Sequence, residues 1–308
     1  MLNPWAGIYT ISTNSGHMLK LLRMEGDEDM KLRFGPAGKP ISFKGKMEDA
    51  PEYLRSIGLD AMEYEAVRGV RIGEEKARRL GENAEKYDVI MSLHAPYYIN
   101  LASKEHEKVE ASIKRIIDSM KAAEWMKAYV VVVHTGYYKG YKDKREALRK
   151  AIEGYKRVLE KLPDWVKTPS LSPELMGRKT AIGDVDEIIE ICREIGERCR
   201  PTIDWAHLYA RYEGNHVRTV NDIIMVIDKL EKELGNYVLK PLHTHFSKIE
   251  YGPGGEREHH TLAEEYGPAW ETVCRAYIET GIQAVIISES PILEQDALVM
   301  KQICESLL

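Results

Sequence analysis

One pattern recurs along most of this chain: a short β-rich apolar run, then a longer stretch whose apolar residues fall three and four apart. The runs are MKLRFGP (30–36), AMEYEAV (61–67), VIMSLHA (89–95), YVVVVHT (129–135), LSPELMG (171–177), CRPTIDWAH (199–207), VLKPLHTHF (238–246) and AVIISES (284–290). Between them lie helical stretches such as 104–126 and 218–235. The second carries Ile223, Val226, Ile227 and Leu230 on one face and ends at Gly235. Alternation of this kind, without a break in composition, calls for a parallel sheet covered by helices. About eight units is the number that closes such a sheet into a barrel. No G-x-G-x-x-G follows the first run, which argues against an open doubly wound sheet. The expected fold is therefore α/β, a single (β/α)8 barrel over residues 30–308. Residues 1–29 are expected to be an N-terminal extension or a partly vector-derived segment, with Gly16-His17-Met18 as the junction.

Of the 308 residues, 44% are apolar, enough for a large core, and 30% are charged. The formal charge of −5 gives no general attraction for nucleic acid. Any such contact must come from local loops and from bound cations, which change the local sum. The cysteines, Cys192, Cys199, Cys274 and Cys304, include no C-x-x-C pair and are expected as buried thiols in a reducing compartment. No apolar run reaches the roughly 18 residues of a membrane span. The opening MLNPWAGIYTISTNSGHM lacks the basic-then-apolar order of a signal peptide. A cytoplasmic protein is expected.

Metal-ligand residue types fall at the ends of successive strand candidates. His94 ends the third and His134 the fourth, Glu174 lies near the end of the fifth, Asp204 and His207 end the sixth, His245 the seventh and Glu289 the eighth. In a parallel barrel those ends share one rim. A single histidine after an apolar run is usually structural, and Asp204 taken alone could be a helix N-cap. Packing does not explain recurrence on six successive strands. Convergent Glu174, Asp204 and Glu289 would repel one another, and only cations make that arrangement stable. Imidazole and carboxylate are the ligand set of zinc, and also of manganese or iron.

HAPYYINLAS (94–103) resembles the H-x-x-Y-x-I-N-L segment of the endonuclease IV family of AP endonucleases, which are xylose-isomerase-like TIM barrels. VVVHTG (131–136), SPELMG (172–177), TIDWAH (202–207), THFSKIEYG (244–252) and ISESP (287–291) follow in the family's order. The resemblance implies a cluster of up to three zinc ions. His94 and His134 would hold one and share Glu174 as a bridge, while Asp204, His245 and Glu289 would complete the second. His207 would hold the third with a carboxylate and a histidine from GEREHH (255–260). The implied reaction is hydrolysis of the DNA phosphodiester 5′ to an abasic site, as in base excision repair. Glu174 and Glu289 are the candidate catalytic carboxylates, placed to orient or deprotonate water. The chain also departs from the family. Trp205-Ala206 replaces Thr-Cys, Phe246-Ser247 follows His245, and Arg257 stands where the third-site aspartate is expected if His259 is the ligand. Glu256 with His259 is the preferred replacement, Glu258 with His260 the alternative, and His243 the alternative to His245.

Tyr97 and Tyr98 directly follow a ligand, in the turn with which the family enters the duplex, and Arg68 and Arg71 follow the second strand. The segments 135–146 and 209–218 mix tyrosine with basic residues. Aromatic and basic loops around a cationic pocket suit a kinked backbone with an extruded nucleotide. Damaged double-stranded DNA is the expected partner, a monomer the expected state, with no membrane and no nucleotide cofactor. Two other readings remain. One is a divalent-metal sugar isomerase or epimerase on the same barrel, a class with fewer metals and fewer histidines. The other is a non-catalytic nucleic-acid-binding barrel that has lost its third ion. The richness in histidine favours zinc and phosphodiester hydrolysis.

Overall fold

All eight apolar runs become strands, each shorter than its run. A computed structural model describes residues 30–308, so the expected extension over 1–29 lies outside the described residues. The ring strands are β1 (Leu32–Pro36), β2 (Ala61–Glu65), β3 (Ile90–His94), β4 (Val130–Val133), β6 (Ser170–Pro173), β8 (Thr202–Asp204), β9 (Leu242–Phe246) and β12 (Ala284–Ser288). They pair in parallel in the orders β1-β12-β9-β8 and β2-β3-β4-β6. Parallel bridges between Ala37 and Glu63, and between Glu174 and Thr202, close these two sheets into one barrel. Outside the ring lie two antiparallel pairs, β5 (Gly136–Tyr137) with β7 (Ala181–Ile182), and the hairpin of β10 (Lys248–Gly252) and β11 (Gly255–His260).

Strand alternation divides the interior from the helix layer. On β2, Met62 and Tyr64 join the outer core under the helices. Ala61 instead packs inside the barrel with Val285 and Ile287. The same alternation turns Glu63 inward, where it meets His243 and Ser92. The lumen is thus apolar at its base and polar above, and every polar group there must find a partner within the protein.

The helix Val220–Leu234 buries Ile223, Val226, Ile227 and Leu230, the four residues of the expected face. A capping box of Thr219 and Asp222 starts it, and Gly235 ends it with φ 97°. The sixth run departs from expectation. It reads as strand to residue 207, but the strand stops at Asp204 and the helix Trp205–Arg211 begins. Asp204 caps that helix, accepting the His207 amide at 2.7 Å. Trp205, one of the residues at which the chain departs from the family pattern, is a packing residue. It is fully buried, and its indole donates to the Tyr277 hydroxyl at 2.6 Å.

The expectation of four buried thiols is corrected for two of them. Cys274 and Cys304 form a disulfide that joins the helices Trp270–Thr280 and Glu294–Leu307, whose packing brings the two Cα atoms to 5.7 Å. Cys192 and Cys199 are buried free thiols. Among the described residues no helix is long and apolar enough to cross a membrane.

Helix contact through a glycine supplies a test of the packing. Gly81 lies buried within the helix Glu74–Lys86, and a Cβ there would meet the Met126 carbonyl carbon and oxygen at 2.7 Å. Helix propensity alone favours alanine over glycine by about 1 kcal/mol, whereas overpacking against rigid backbone costs about 1–3 kcal/mol. Gly81→Ala is therefore expected to lower the urea unfolding midpoint. A raised midpoint would contradict this helix contact.

Candidate metal centre

The rim at the strand ends gathers the expected side chains. His94 is the last residue of β3, His134 and Glu174 directly follow β4 and β6, Asp204 ends β8, His245 lies in β9 and Glu289 follows β12. Asn100 of the YYINL turn accepts the amides of Ala102 and Tyr137, pinning the loop that leaves His94. Glu174 stands in the middle. Its Oε2 lies 2.8 Å from His134 Nε2 and 3.2 Å from His94 Nε2. Its Oε1 lies 3.3 Å from the Nδ1 atoms of both His207 and His245. Glu289 Oε1 is 3.3 Å from His245 Nδ1, and its Oε2 is 3.9 Å from His259 Nδ1.

Hydrogen bonds on the far side of several rings fix which nitrogen faces the centre. His94 donates its Nδ1–H to the Ala95 carbonyl at 2.7 Å, leaving Nε2 toward Glu174. His207 donates its Nδ1–H to the Leu175 carbonyl at 2.9 Å, leaving Nε2 3.3 Å from Glu256 Oε2. His259 Nδ1 meets the Ser247 hydroxyl at 2.7 Å, which gives the second departure after His245 a role.

A β-bulge decides the residues around His207. The β10–β11 register runs from Glu250 opposite Glu258 to Tyr251 opposite Glu256, so Arg257 is the extra residue. In an unbroken strand Arg257 would share the face of His259. With Arg257 bulged out, Glu256 takes that face instead, and Arg257 pairs with Glu250 at 2.9 Å. The His259 and His207 rings lie 5.4 Å apart. Gly177 makes room for this approach, because a Cβ there would meet Glu256 Oε2 at 2.4 Å. Glu258 and His260 belong to the other face. His260 stacks on Tyr266 at 3.8 Å and bonds Glu264 at 2.9 Å.

Buried polar atoms without partners test whether the donor set suits cations. Asp204 Oδ2 and Glu256 Oε2 have no hydrogen-bond partner, nor has Glu65 Oε1, while the otherwise unpartnered His245 Nε2 and Glu63 Oε1 face each other at 3.0 Å. Asp204 spends one oxygen on its cap and leaves the other facing the centre. Ligand atoms gather in overlapping groups: His94, His134 and Glu174; Glu174, Asp204, His245 and Glu289; and His207, His259 and Glu289. Glu174 and Glu289 each belong to two groups, as bridging carboxylates do. The donor chemistry fits divalent ions.

Two acidic residues of the interior escaped the sequence reading, Glu63 and Glu65 on β2. The signal was glutamate at alternate positions of a strand buried on both faces, where an apolar run is normal. Burial pushes Glu65 up to about 8, with Glu63 and Glu289 adding to the effect. Burial likewise raises Asp204 to about 8, reinforced by Glu289 and Glu174. Three of the histidines move with them, while burial lowers His243 and His259. Burial disfavours charged imidazole, yet Glu65 and Glu174 push His94 up to about 10. Against the same burial penalty, Asp204 and Glu256 hold His207 well above the ordinary range, and Glu63 and Glu289 do so for His245.

Of the expected DNA contacts, Tyr98 is 65% exposed and Tyr97 41%, the latter stacked on His134 at 5.1 Å. Arg68 and Arg71 are exposed beyond β2. Other loop tyrosines serve the fold. Tyr138 is buried with its hydroxyl 2.6 Å from Glu187, and Tyr212 donates to Asp184.

The chain belongs to the xylose isomerase-like TIM barrel family, whose model matches residues 51–306. An uncharacterised protein of Methanocaldococcus jannaschii is 38% identical over 89% of this chain and 97% of its own. A probable endonuclease 4 of Sulfurihydrogenibium is 27% identical over 62% of this chain and 67% of its own. Among solved structures, a D-tagatose 3-epimerase-like protein superposes with a TM-score of 0.66 at 22% identity, covering 90% of this chain and 96% of that one.

The charge state predicts how the centre takes up metal. With pKa values of about 10 for His94 and about 8 for Asp204, the metal-free centre carries protons at neutral pH. Ligands bind ions deprotonated, so zinc binding is expected to release protons near pH 7 and fewer above pH 8, once Asp204 has ionised. Titration calorimetry in buffers of different ionisation enthalpy measures the release. Net proton uptake would contradict these charge assignments.

Proposed function

We propose that this protein is a zinc-dependent phosphodiesterase of endonuclease IV type, which cuts DNA 5′ to an abasic site. The observation that carries the reading is the overlap of ligand groups at Glu174, with Glu289 lying between the second group and the pair His207 and His259. Bridged clusters suit displacement at phosphorus, where attacking and leaving oxygens both need charge stabilisation. The similarity to a probable endonuclease 4 supports the same reading.

His94, His134 and Glu174 would hold the first ion, Glu174, Asp204, His245 and Glu289 the second, and His207, Glu256 and His259 the third. Divalent ions bound there supply Lewis acidity toward the phosphoryl oxygens and lower the pKa of water. Zinc matches the imidazole-rich donors best, with manganese or iron as alternatives at one or more positions. Glu174 and Glu289 hold and orient the attacking water. Tyr97 packs edge-on against His94 and stacks on His134, covering part of that side. Tyr98 at the rim offers a face for stacking, and Arg68 and Arg71 offer charge to the DNA backbone.

A sugar epimerase is the second reading. Glu174, Asp204, His245 and Glu289 form a complete ligand set for one ion, and such a set could serve carbon chemistry without the outer histidines. A duplex oligonucleotide with one synthetic abasic site distinguishes the two. Zinc-loaded protein is expected to leave a 3′-hydroxyl, chelation to abolish incision, and Glu174→Gln to slow it roughly 10²–10⁴-fold. Absence of incision by fully zinc-loaded protein, with turnover of ketose substrates, would replace this reading by the second.

A further inference from the structure

His94 and His207 each spend Nδ1 on a backbone carbonyl, leaving Nε2 toward Glu174 in the first and toward Glu256 in the second. His245 is turned the other way. Its Nδ1 faces Glu174 and Glu289, each at 3.3 Å, and its Nε2 lies 3.0 Å from Glu63 Oε1. Glu63 is fully buried on β2, below the rim. Its other oxygen is already occupied. Ser92 donates to Oε2 at 2.7 Å, and His243 Nε2 donates to the same atom at 3.0 Å. The outer nitrogen of His243 accepts from the Tyr129 hydroxyl at 2.7 Å. These contacts turn His243 away from the rim and hold the carboxylate rigid, with Oε1 left for His245.

We propose that Glu63 is a positioning residue: it accepts the Nε2–H of His245, fixes the tautomer of that ring and aims Nδ1 at the ion held with Glu174, Asp204 and Glu289. This rests on the metal-centre reading and is independent of the DNA substrate. An anionic acceptor does more than orient. It draws the Nε2 proton and makes Nδ1 a better electron donor, which a neutral carbonyl does only weakly. A separate cation between Glu63 and His245 is the competing occupant. It would require His245 to ligate through both nitrogens and lose its last ring proton, and it would find Glu63 Oε2 taken by two donors.

Glu63→Gln keeps shape and an acceptor oxygen but removes the charge. Zinc affinity, measured on metal-free protein by competition with a chromophoric chelator, is expected to fall about 10–100-fold, with the number of ions bound unchanged. Ser92→Ala, which loosens the carboxylate without removing it, is expected to show a smaller loss and carries the test if the first variant does not fold. In zinc-loaded parent protein, ¹⁵N imidazole spectra should show the His245 proton on Nε2. Unchanged affinity in both variants, a proton on Nδ1, or the loss of one bound ion would overturn the proposal. None of these readouts involves DNA, so failed incision would leave them untouched.

Discussion

Acidic side chains at the centre of this barrel cannot stay together without positive charge. Glu63, Glu65, Glu174 and Asp204 are buried or nearly so, with Glu289 and Glu256 against them. Each ion removed from water costs several kcal/mol unless paired. The metal-free protein can meet that demand with protonated histidines, and the raised His94, His207 and His245 are the result. Metal ions meet it while leaving imidazole neutral. The same constraint explains the second layer: Ala95 and Leu175 occupy Nδ1 of His94 and His207 and leave Nε2 for Glu174 and Glu256, while Ser247 holds His259 through Nδ1.

Barrel geometry makes this concentration possible. Parallel strands put residues as distant as His94 and Glu289 on one rim, and the bridge between Glu174 and Thr202 fixes their height at a seam of the ring. The third ligand group depends on structure added to the barrel. The β10–β11 hairpin reaches over His207, and its bulge at Arg257 selects the residues that face inward. That group is built from the added hairpin and the helix Trp205–Arg211 rather than from the ends of ring strands.

Strands, helix faces and most of the centre were legible in the sequence because they follow period and position. The face of Val220–Leu234 follows from 3.6-residue spacing, and the rim residues from their place at the ends of apolar runs. Glu63 and Glu65 were missed because they sit inside a run, where only inward alternation marks them. The bulge at Arg257 has no composition signature; it is fixed by pairing with β10. The Cys274–Cys304 disulfide likewise depends on how two helices pack, which spacing does not reveal. Asp204 showed the reverse case, where the modest reading and the functional one both hold: one oxygen caps a helix while the other faces the centre.

Diffraction from crystals of the zinc-loaded protein, recorded on both sides of the zinc absorption edge, locates the bound ions. Anomalous peaks are expected at three places. One lies among His94, His134 and Glu174, one among Glu174, Asp204, His245 and Glu289, and one beside His207, His259 and Glu256. No peak at the rim, or a single peak at the middle group alone, would contradict a three-ion centre.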